Sequence, residues 1–192
     1  MSKRFTLIAA AAALALAAGA AAPLATKSMA ETTVTVGGAP MYPSKNIIQN
    51  AVNSKDHTTL VAAVKAAGLV DTLQGPGPFT VFAPTNAAFG KLPAGTVDNL
   101  LKPENKGTLT KVLTYHVVPG RMTAVNLMKA VKEGEGEAKL KTVAGDWLMV
   151  KQAGPGKLTV TDAKGDVAMV TIADVLQSNG VIHFIDTVLL PM

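Results

Sequence analysis

Apolar residues recur at two different spacings along this chain, and the spacing changes near Glu137. In the first part they follow the helical period, as in the segment from Leu60 to Ala67, after which Gly68 is a natural helix stop. In the second part, short strand-like runs are separated by glycine-containing turns, which is typical of β-hairpins. Because helices are predicted in the first part of the chain and strands in the second, we expect an α+β fold and not a regular alternation of strand and helix.

The same pattern gives approximate bounds for the individual elements. Helices are predicted over residues 45–52, capped by Ser44, and over residues 60–67, 87–91, 96–101, 108–113 and 123–132. A short buried strand is predicted over residues 79–83, and further strands over residues 140–143, 147–151, 158–162, 167–172 and 181–190. Residues 31–43 are rich in Gly and Pro and lack amphipathic spacing, so we expect a flexible or loosely docked arm before a domain that spans residues 44–191.

The first thirty residues have the features of an export signal. A Lys-Arg pair at residues 3 and 4 precedes an uncharged run from Phe5 to Ala18, and Ser28 and Ala30 place small side chains before a cleavage point. We interpret residues 1–30 as a signal peptide, with a second candidate cleavage point near residues 20–22. A membrane-anchoring helix is the alternative, but the apolar run of about 14 residues is shorter than the ~20 that span a bilayer.

The net charge and the absence of Cys argue against several classes of protein. The whole chain has a formal charge of +5, but three basic residues lie in the predicted leader, and the remaining 162 residues carry only +2. The lysines are scattered and not interleaved with aromatic residues, which argues against nucleic-acid binding. There is no Cys, so the expected secreted or periplasmic protein folds without disulfides and without a lipid-modified Cys.

Catalytic and metal-binding patterns are missing from the sequence. There is no Cys nucleophile and no Gly-x-Ser-x-Gly turn, and His57, His116 and His183 are far apart along the chain. The run Glu133, Glu135 and Glu137 lacks the dense ligand spacing of a calcium loop. We therefore expect no enzyme activity, no metal site and no cofactor.

Three segments, in this order, resemble the signature blocks of the fasciclin (FAS1) domain family. They are Phe79–Phe89 (FTVFAPTNAAF), Tyr115–Gly120 (YHVVPG) and Asn179–Pro191 (NGVIHFIDTVLLP). The resemblance covers residues 43–191 and implies a β-wedge or sandwich packed with several short helices. It also implies an exported, non-catalytic module for cell adhesion that binds a cell-surface or matrix protein or glycan.

The resemblance draws attention to Tyr115, His116 and Asn86 as candidate binding residues. Asn86 and His116 each have a structural alternative. Asn86 follows a strand and is able to cap the next helix, and His116 has apolar neighbours that favour a buried, hydrogen-bonded imidazole. We favour the structural role for both. Tyr115 remains the candidate for receptor contact, while His57 is expected to be exposed and His183 to face solvent or a cross-strand partner.

A second function class stays open beside adhesion. Met122, Met128, Met149 and Met169 would suit an adaptable apolar groove, and some fasciclin-like proteins look like carriers of apolar pigments. The alternative function is thus a carrier of a small apolar ligand, such as a lipid or pigment. Core filling is the competing interpretation of these Met residues.

Overall fold

The computed structural model describes residues 32–192, so the predicted signal peptide lies outside the described residues. No helix within residues 32–192 is long and apolar enough to cross a membrane. The helices are α1 Ile47–Ala51, α2 Thr58–Ala67, α3 Val70–Gln74, α4 Asn86–Gly90, α5 Thr96–Leu100, α6 Lys106–Tyr115 and α7 Ala124–Glu133. The strands are β1 Val34–Val36, β2 Ala39–Met41, β3 Phe79–Pro84, β4 Val117–Pro119, β5 Glu137–Lys141, β6 Trp147–Gly154, β7 Lys157–Thr161, β8 Val167–Gln177 and β9 Gly180–Ile185. The predicted α+β class is confirmed.

Seven strands form one strongly curved sheet in the order β4-β3-β9-β8-β7-β6-β5. Its pairs are antiparallel except for β3 and β9, which run parallel. The long strand β8 bends at two register shifts, so that its first part pairs with β7 and its later part with β9. The amide of Val143, just after β5, donates to the carbonyl of Val117 in β4 at 2.8 Å, which brings the two sheet edges together into a near-barrel wedge.

Two main apolar cores lie on different parts of this sheet. The first core joins β3 and β9 to helices α1, α2, α3 and α6, and the second lies between strands β5–β8 and helix α7. Leu127 of α7 is fully buried in the second core, and so are Leu148 and Val150 of β6. The second core depends on strand alternation, since Leu148 and Val150 of β6 and Leu158 and Val160 of β7 point inward at every second position.

The segment expected to be a flexible arm is instead a docked hairpin, and the predicted domain start at residue 44 is too late. Strands β1 and β2 pair antiparallel, and Val36 and Met41 are 3% and 1% exposed in the first core. Gly37 and Gly38 both take positive φ angles, which is the backbone that a two-residue hairpin turn requires. Pro40, which suggested a tether, sits on a strand that has one pairing partner, where a missing N–H is tolerated.

Two predicted helix caps are shifted by one or two residues. Helix α1 is capped by Asn46, whose side chain accepts from the amide of Gln49 in a capping box, and not by Ser44. Helix α4 is capped by Thr85, which accepts from the amide of Ala88, and not by Asn86. The stop at Gly68 is confirmed, because this residue takes the left-handed conformation that ends α2.

If the hairpin is docked, substitutions in it should change the free energy of unfolding, which is not expected for a flexible arm. Met41→Ala removes a buried side chain from the first core, so we expect the free energy of unfolding to fall by about 3 kcal/mol in urea titrations. Thr35→Ala, on the exposed side of the same hairpin, is the matched control and should change stability by less than ~0.5 kcal/mol. Equal stabilities of the two variants would mean that the hairpin is not docked in solution.

Candidate functional site

The three signature segments meet at one end of the sheet, where β4, β3 and β9 lie side by side. Strand β3 pairs with β9 through Phe82 opposite His183, and on its other side with β4 through Thr80 opposite Val118. Thr80 is fully buried, and its hydroxyl donates to the carbonyl of Gly120 at 2.6 Å and accepts from the amide of Met122 at 2.8 Å. The signature residues therefore connect these neighbouring strands to one another and to the segment that follows β4.

His116 lies at the end of α6 and is 2% exposed. Its Nδ1 is 2.8 Å from the carbonyl of Val112, and its Nε2 is 3.0 Å from the amide of Leu189, which donates to it. Both contacts are satisfied by one neutral tautomer, with the proton on Nδ1. Burial lowers the pKa of His116 to about 4, against weaker opposing effects of the Val112 carbonyl and Asp162. The imidazole ties helix α6 to the C-terminal segment.

Tyr115, the candidate for receptor contact, is fully buried. Its hydroxyl donates to the carbonyl of Trp147 at 2.9 Å and accepts from the amide of Ala163 at 2.9 Å. The hydroxyl thus links the first residue of β6 to the turn that follows β7. In this structure neither Tyr115 nor His116 offers a surface to a partner.

Asn86 is half-buried and joins α4 to the start of α2. Its Oδ1 accepts from the amide of Thr59 at 3.1 Å, and its Nδ2 donates to the carbonyl of Lys55 at 2.8 Å. The side chain therefore satisfies backbone groups at a helix start, but the helix is α2 and not the predicted α4. These contacts occupy the polar atoms that a ligand would need.

The other two histidines are also buried, which contradicts the exposure expected for His57. His183 is fully buried; its Nε2 is 2.8 Å from the carbonyl of Met122, and its Nδ1 accepts from the amide of Asp174 at 3.3 Å. His57 is 1% exposed, and its ring centroid lies 4.3 Å from that of Phe184. The polar neighbours of His57 in sequence suggested a surface position, but a 3₁₀ turn over Lys55–His57 directs the ring inward.

An apolar cleft opens between helices α1 and α2 above the sheet. Its cavity volume is about 40 Å³, and its walls include Ile47, Ile48, Val61, Val64 and Phe184. The exposed Lys65 stands at its rim. His57 also lines this cleft, and its Nε2 is a buried nitrogen for which residues 32–192 supply no hydrogen-bond partner.

A second candidate surface is the outward side of strands β5–β8, which we call the outer face. Trp147, Val167 and Met169 are 54%, 55% and 44% exposed there. The pairing register places Met149 between Lys139 and Thr161, and Lys141 opposite Trp147. The outer face comprises Lys139, Lys141, Trp147, Met149, Lys151, Thr159, Thr161, Val167 and Met169. Alternation in the sequence signalled this face, but only strand pairing shows that Trp147 and Met149 of β6 share it with Val167 and Met169 of β8, with Thr159 and Thr161 of β7 between them.

Residues 32–192 contain no cluster of three His, Cys, Asp or Glu side chains that could hold a metal ion. In the acidic run, Glu133 and Glu137 each face a lysine, Lys129 at 3.7 Å and Lys151 at 3.3 Å. The Met residues are divided between locations: Met122 and Met128 pack on the second core, while Met169 is exposed. They do not line the apolar cleft.

Comparison with known proteins shows to which family the chain belongs. The fasciclin domain model matches residues 55–191. The chain belongs to the fasciclin family. Fasciclin relatives include Protein sll1483 of Synechocystis sp., with 48% identity over 84% of this chain and 82% of the relative. The cell surface glycolipoprotein MPB83 of Mycobacterium bovis is 33% identical over 89% of this chain and 79% of its own length.

The fasciclin fold is also recognised in a solved structure. A FAS1 domain pair from the insect cell adhesion molecule fasciclin I superposes with a TM-score of 0.68 at 19% identity, over 84% of this chain. This chain spans 58% of that domain pair. The family assignment supports a non-enzymatic domain, as the sequence predicted.

Two predictions concern the buried histidines of this fasciclin domain. His116→Ala removes both hydrogen bonds and leaves a cavity, so we expect the free energy of unfolding to fall by about 3 kcal/mol. Thr108→Ala, exposed on the same helix, is the control and should be nearly silent in the same thermal and urea titrations. A melting point unchanged by His116→Ala would contradict the structural role of the imidazole.

Stability should also fall in mild acid. Burial lowers the pKa of His57 and of His116 from 6.5 to about 4, and the pKa of His183 is lowered as well, again by burial. Below pH 6.5 the unfolded chain takes up protons that the folded chain does not, so stability is full above 6.5 and declines as the pH falls towards about 4. Each histidine contributes up to about 1.4 kcal/mol per pH unit.

Urea titrations between neutral pH and about pH 4.5 measure this slope. His116→Asn, which keeps a donor near the position of Nδ1 but does not titrate, should reduce the slope by about one proton. An unchanged slope would mean that His116 is protonated in the folded state.

Proposed function

We propose that this chain is an exported, non-catalytic recognition module that binds an anionic glycan at its outer face. The main supporting observation is the exposure of Trp147, the single Trp of the chain, two residues from Met149 on the face of β6 that is shared with the exposed Val167 and Met169 of β8. Exposed apolar groups that are contiguous mark interaction sites more often than scattered ones do. Indole rings are also enriched among the residues that dominate binding energy.

The polar composition of the outer face favours a sugar polymer with acidic groups. The apolar faces of sugar rings stack on indole, and the face also carries the hydroxyl of Thr161 and that of Thr159, which donates to the carbonyl of Lys151 at 3.4 Å and can still accept from a sugar hydroxyl. Lys139 and Lys141 lie along one side of the face, and the one carboxylate on that strand, Glu137, is held by Lys151 at 3.3 Å. The face thus has an excess of positive charge for carboxylate or sulfate groups.

An extracellular or periplasmic role agrees with the leader-like N-terminus and with the cell-surface description of the mycobacterial relative MPB83. A single domain gains no avidity from its own copies. A polymer with repeated units compensates in part, because it offers each copy many equivalent sites and so raises the apparent affinity by their number. Adhesion through Tyr115 and His116 is not part of the proposal, since both are buried.

A second candidate function is the carrier of a small apolar ligand. The observation that favours it is the apolar cleft between α1 and α2, which is separate from the outer face and lies over the first core. Ligand pockets are typically apolar concavities with few polar groups, and this cleft has that character. Its volume of about 40 Å³ admits no more than a few atoms of such a ligand, so a carrier function requires the cleft to widen.

The glycan proposal is tested with alginate, a polymer of uronic acids, and with neutral dextran as the matched control. Because Trp147 is the single Trp, its fluorescence reports directly on the outer face. We expect alginate oligomers to change the emission and to bind more weakly as salt is raised, and dextran to do neither. Calorimetry should show that Trp147→Ala weakens alginate binding by a factor of about 30 or more.

Charge and surface controls separate this effect from general damage. The double variant Lys139→Gln with Lys141→Gln should lose about tenfold in affinity and part of the salt dependence. Val125→Ala, a change at a 69% exposed residue of α7, should leave binding unaltered. Equal binding of dextran, or full affinity in Trp147→Ala, would reject the outer face as a site for anionic glycan.

A further inference from the structure

A groove lies at the rim of the outer face, where strand β6 continues past the end of β7. Strand β7 ends at Thr161, which pairs with Met149, so Trp147 at the start of β6 has no neighbour on that strand. The groove beside the indole has a volume of about 470 Å³, and its walls include Lys139, Asp146 and Ala163. Small-molecule sites typically measure ~300–1,000 Å³, so the groove has room for a sugar ring.

Two carboxylates line this groove, and they differ in what they offer to a ligand. Asp162 is 1% exposed, and both of its oxygens accept from backbone amides. In Asp146, Oδ2 is buried and lies 3.6 Å from Nζ of Lys111, yet the side chain as a whole is 39% exposed. The exposed part therefore includes Oδ1, and Asp146 presents this oxygen to the groove as a hydrogen-bond acceptor.

The surroundings of Asp146 hold it in this orientation. Its carbonyl accepts from the amide of Thr142 at 2.9 Å and from the hydroxyl of the same residue at 2.8 Å, which fixes the β5–β6 turn. Lys111 donates to the carbonyl of Met192 at 2.7 Å, so the ammonium group next to Oδ2 is itself positioned. An acceptor that is placed before binding loses little conformational entropy when a ligand hydroxyl donates to it.

We infer that the groove recognises an acidic polysaccharide by its unsubstituted ring hydroxyls, which donate to Oδ1 of Asp146 while the sugar stacks on Trp147. A carboxylate oxygen accepts such hydroxyls in short, charge-assisted hydrogen bonds. The same carboxylate repels the acidic groups of the polymer, which are therefore directed to Lys139. Acetyl or sulfate groups on those hydroxyls would remove the donors. The inference rests on the proposed glycan function and adds the chemical form of the glycan.

The spacing of the two opposite charges suits this orientation. Lys139 pairs with Met149, which follows Asp146 by three residues along β6, and three residues of strand span about 10 Å. Trp147 lies within that span, so a sugar stacked on the indole has an acidic side chain towards one end and a basic one towards the other. A polymer bound through charge alone would use the lysines, and Asp146 would weaken its binding.

The test compares alginate oligomers with the same oligomers after O-acetylation of their ring hydroxyls, in EDTA so that no calcium ion bridges carboxylates. The two probes carry the same carboxylates and differ in their hydroxyl donors. Calorimetry and the fluorescence of Trp147, the single Trp, measure both affinities on the unaltered protein. We expect the acetylated oligomers to bind on the order of tenfold more weakly than the unmodified ones.

The variant Asp146→Asn separates hydrogen bonding from charge. It removes a negative charge from a site for an anionic polymer, so an electrostatic role alone predicts tighter binding of unmodified alginate. We expect binding about tenfold weaker and nearly equal for the two probes, because the amide oxygen turns to Lys111 and an NH₂ donor replaces Oδ1. Asp98→Asn, which removes the same charge at an exposed position of α5, is the matched control and should leave the preference unchanged.

The outcomes separate this inference from the glycan proposal. Equal affinity of the unaltered protein for both probes, or tighter alginate binding by Asp146→Asn, overturns the hydroxyl recognition while the glycan proposal stands. A preference that persists in Asp146→Asn assigns it to the bulk of the acetyl groups and rejects the role of Asp146. Alginate that does not bind at all overturns both. The two probes are compared on the unaltered protein, so the test holds even if a variant does not fold.

Discussion

The parallel pairing of β3 with β9 is the constraint on which the rest of the fold depends. It joins Phe79 to Gly180, about 100 residues apart, so the helices and the hairpin strands between them must leave and return to one place. Gly180 is required there because a Cβ would collide with the carbonyl of Phe79. The preceding Asn179 fastens the same junction: its Nδ2 donates to the carbonyl of Leu73 at 2.7 Å, and its Oδ1 accepts from the amide of Ile47 at 3.1 Å.

The signature segments are therefore explained by assembly more than by recognition. His116 and His183 each link a signature strand or helix end to backbone elsewhere, and Tyr115 does the same between two hairpins. Such groups are costly to bury unpaired, so each fixes one arrangement of its neighbours. A sequence motif whose key polar side chains are buried in this way identifies the fold, and the glycan contact that we propose for Trp147 lies outside the motif.

Local patterns in the sequence were sufficient to predict most helices and strands. They were insufficient where contacts between distant residues determine whether a segment is buried. The stop at Gly68, the buried strand β3 and the hairpins after Glu137 follow from periodicity and turn residues. The β1–β2 hairpin was missed although Gly37-Gly38 is a hairpin signal, because its burial depends on a core assembled from distant residues. His57 was misplaced for a similar reason, since its neighbours along the chain are polar but its neighbours in space include Phe184.

The two proposed surfaces differ in how firmly the fold holds them. The outer face lies on four strands with continuous backbone ladders and should change little when a partner binds. The position of α1, which forms one side of the cleft, is held by side chains and not by a backbone ladder. This helix has five residues and is anchored through its Asn46 cap and through Asn179. A five-residue helix has little stability of its own, so it is able to shift without breaking the sheet. A molecule larger than the cleft of about 40 Å³ would therefore require α1 to move, whereas a ligand at the outer face requires no change in the strands.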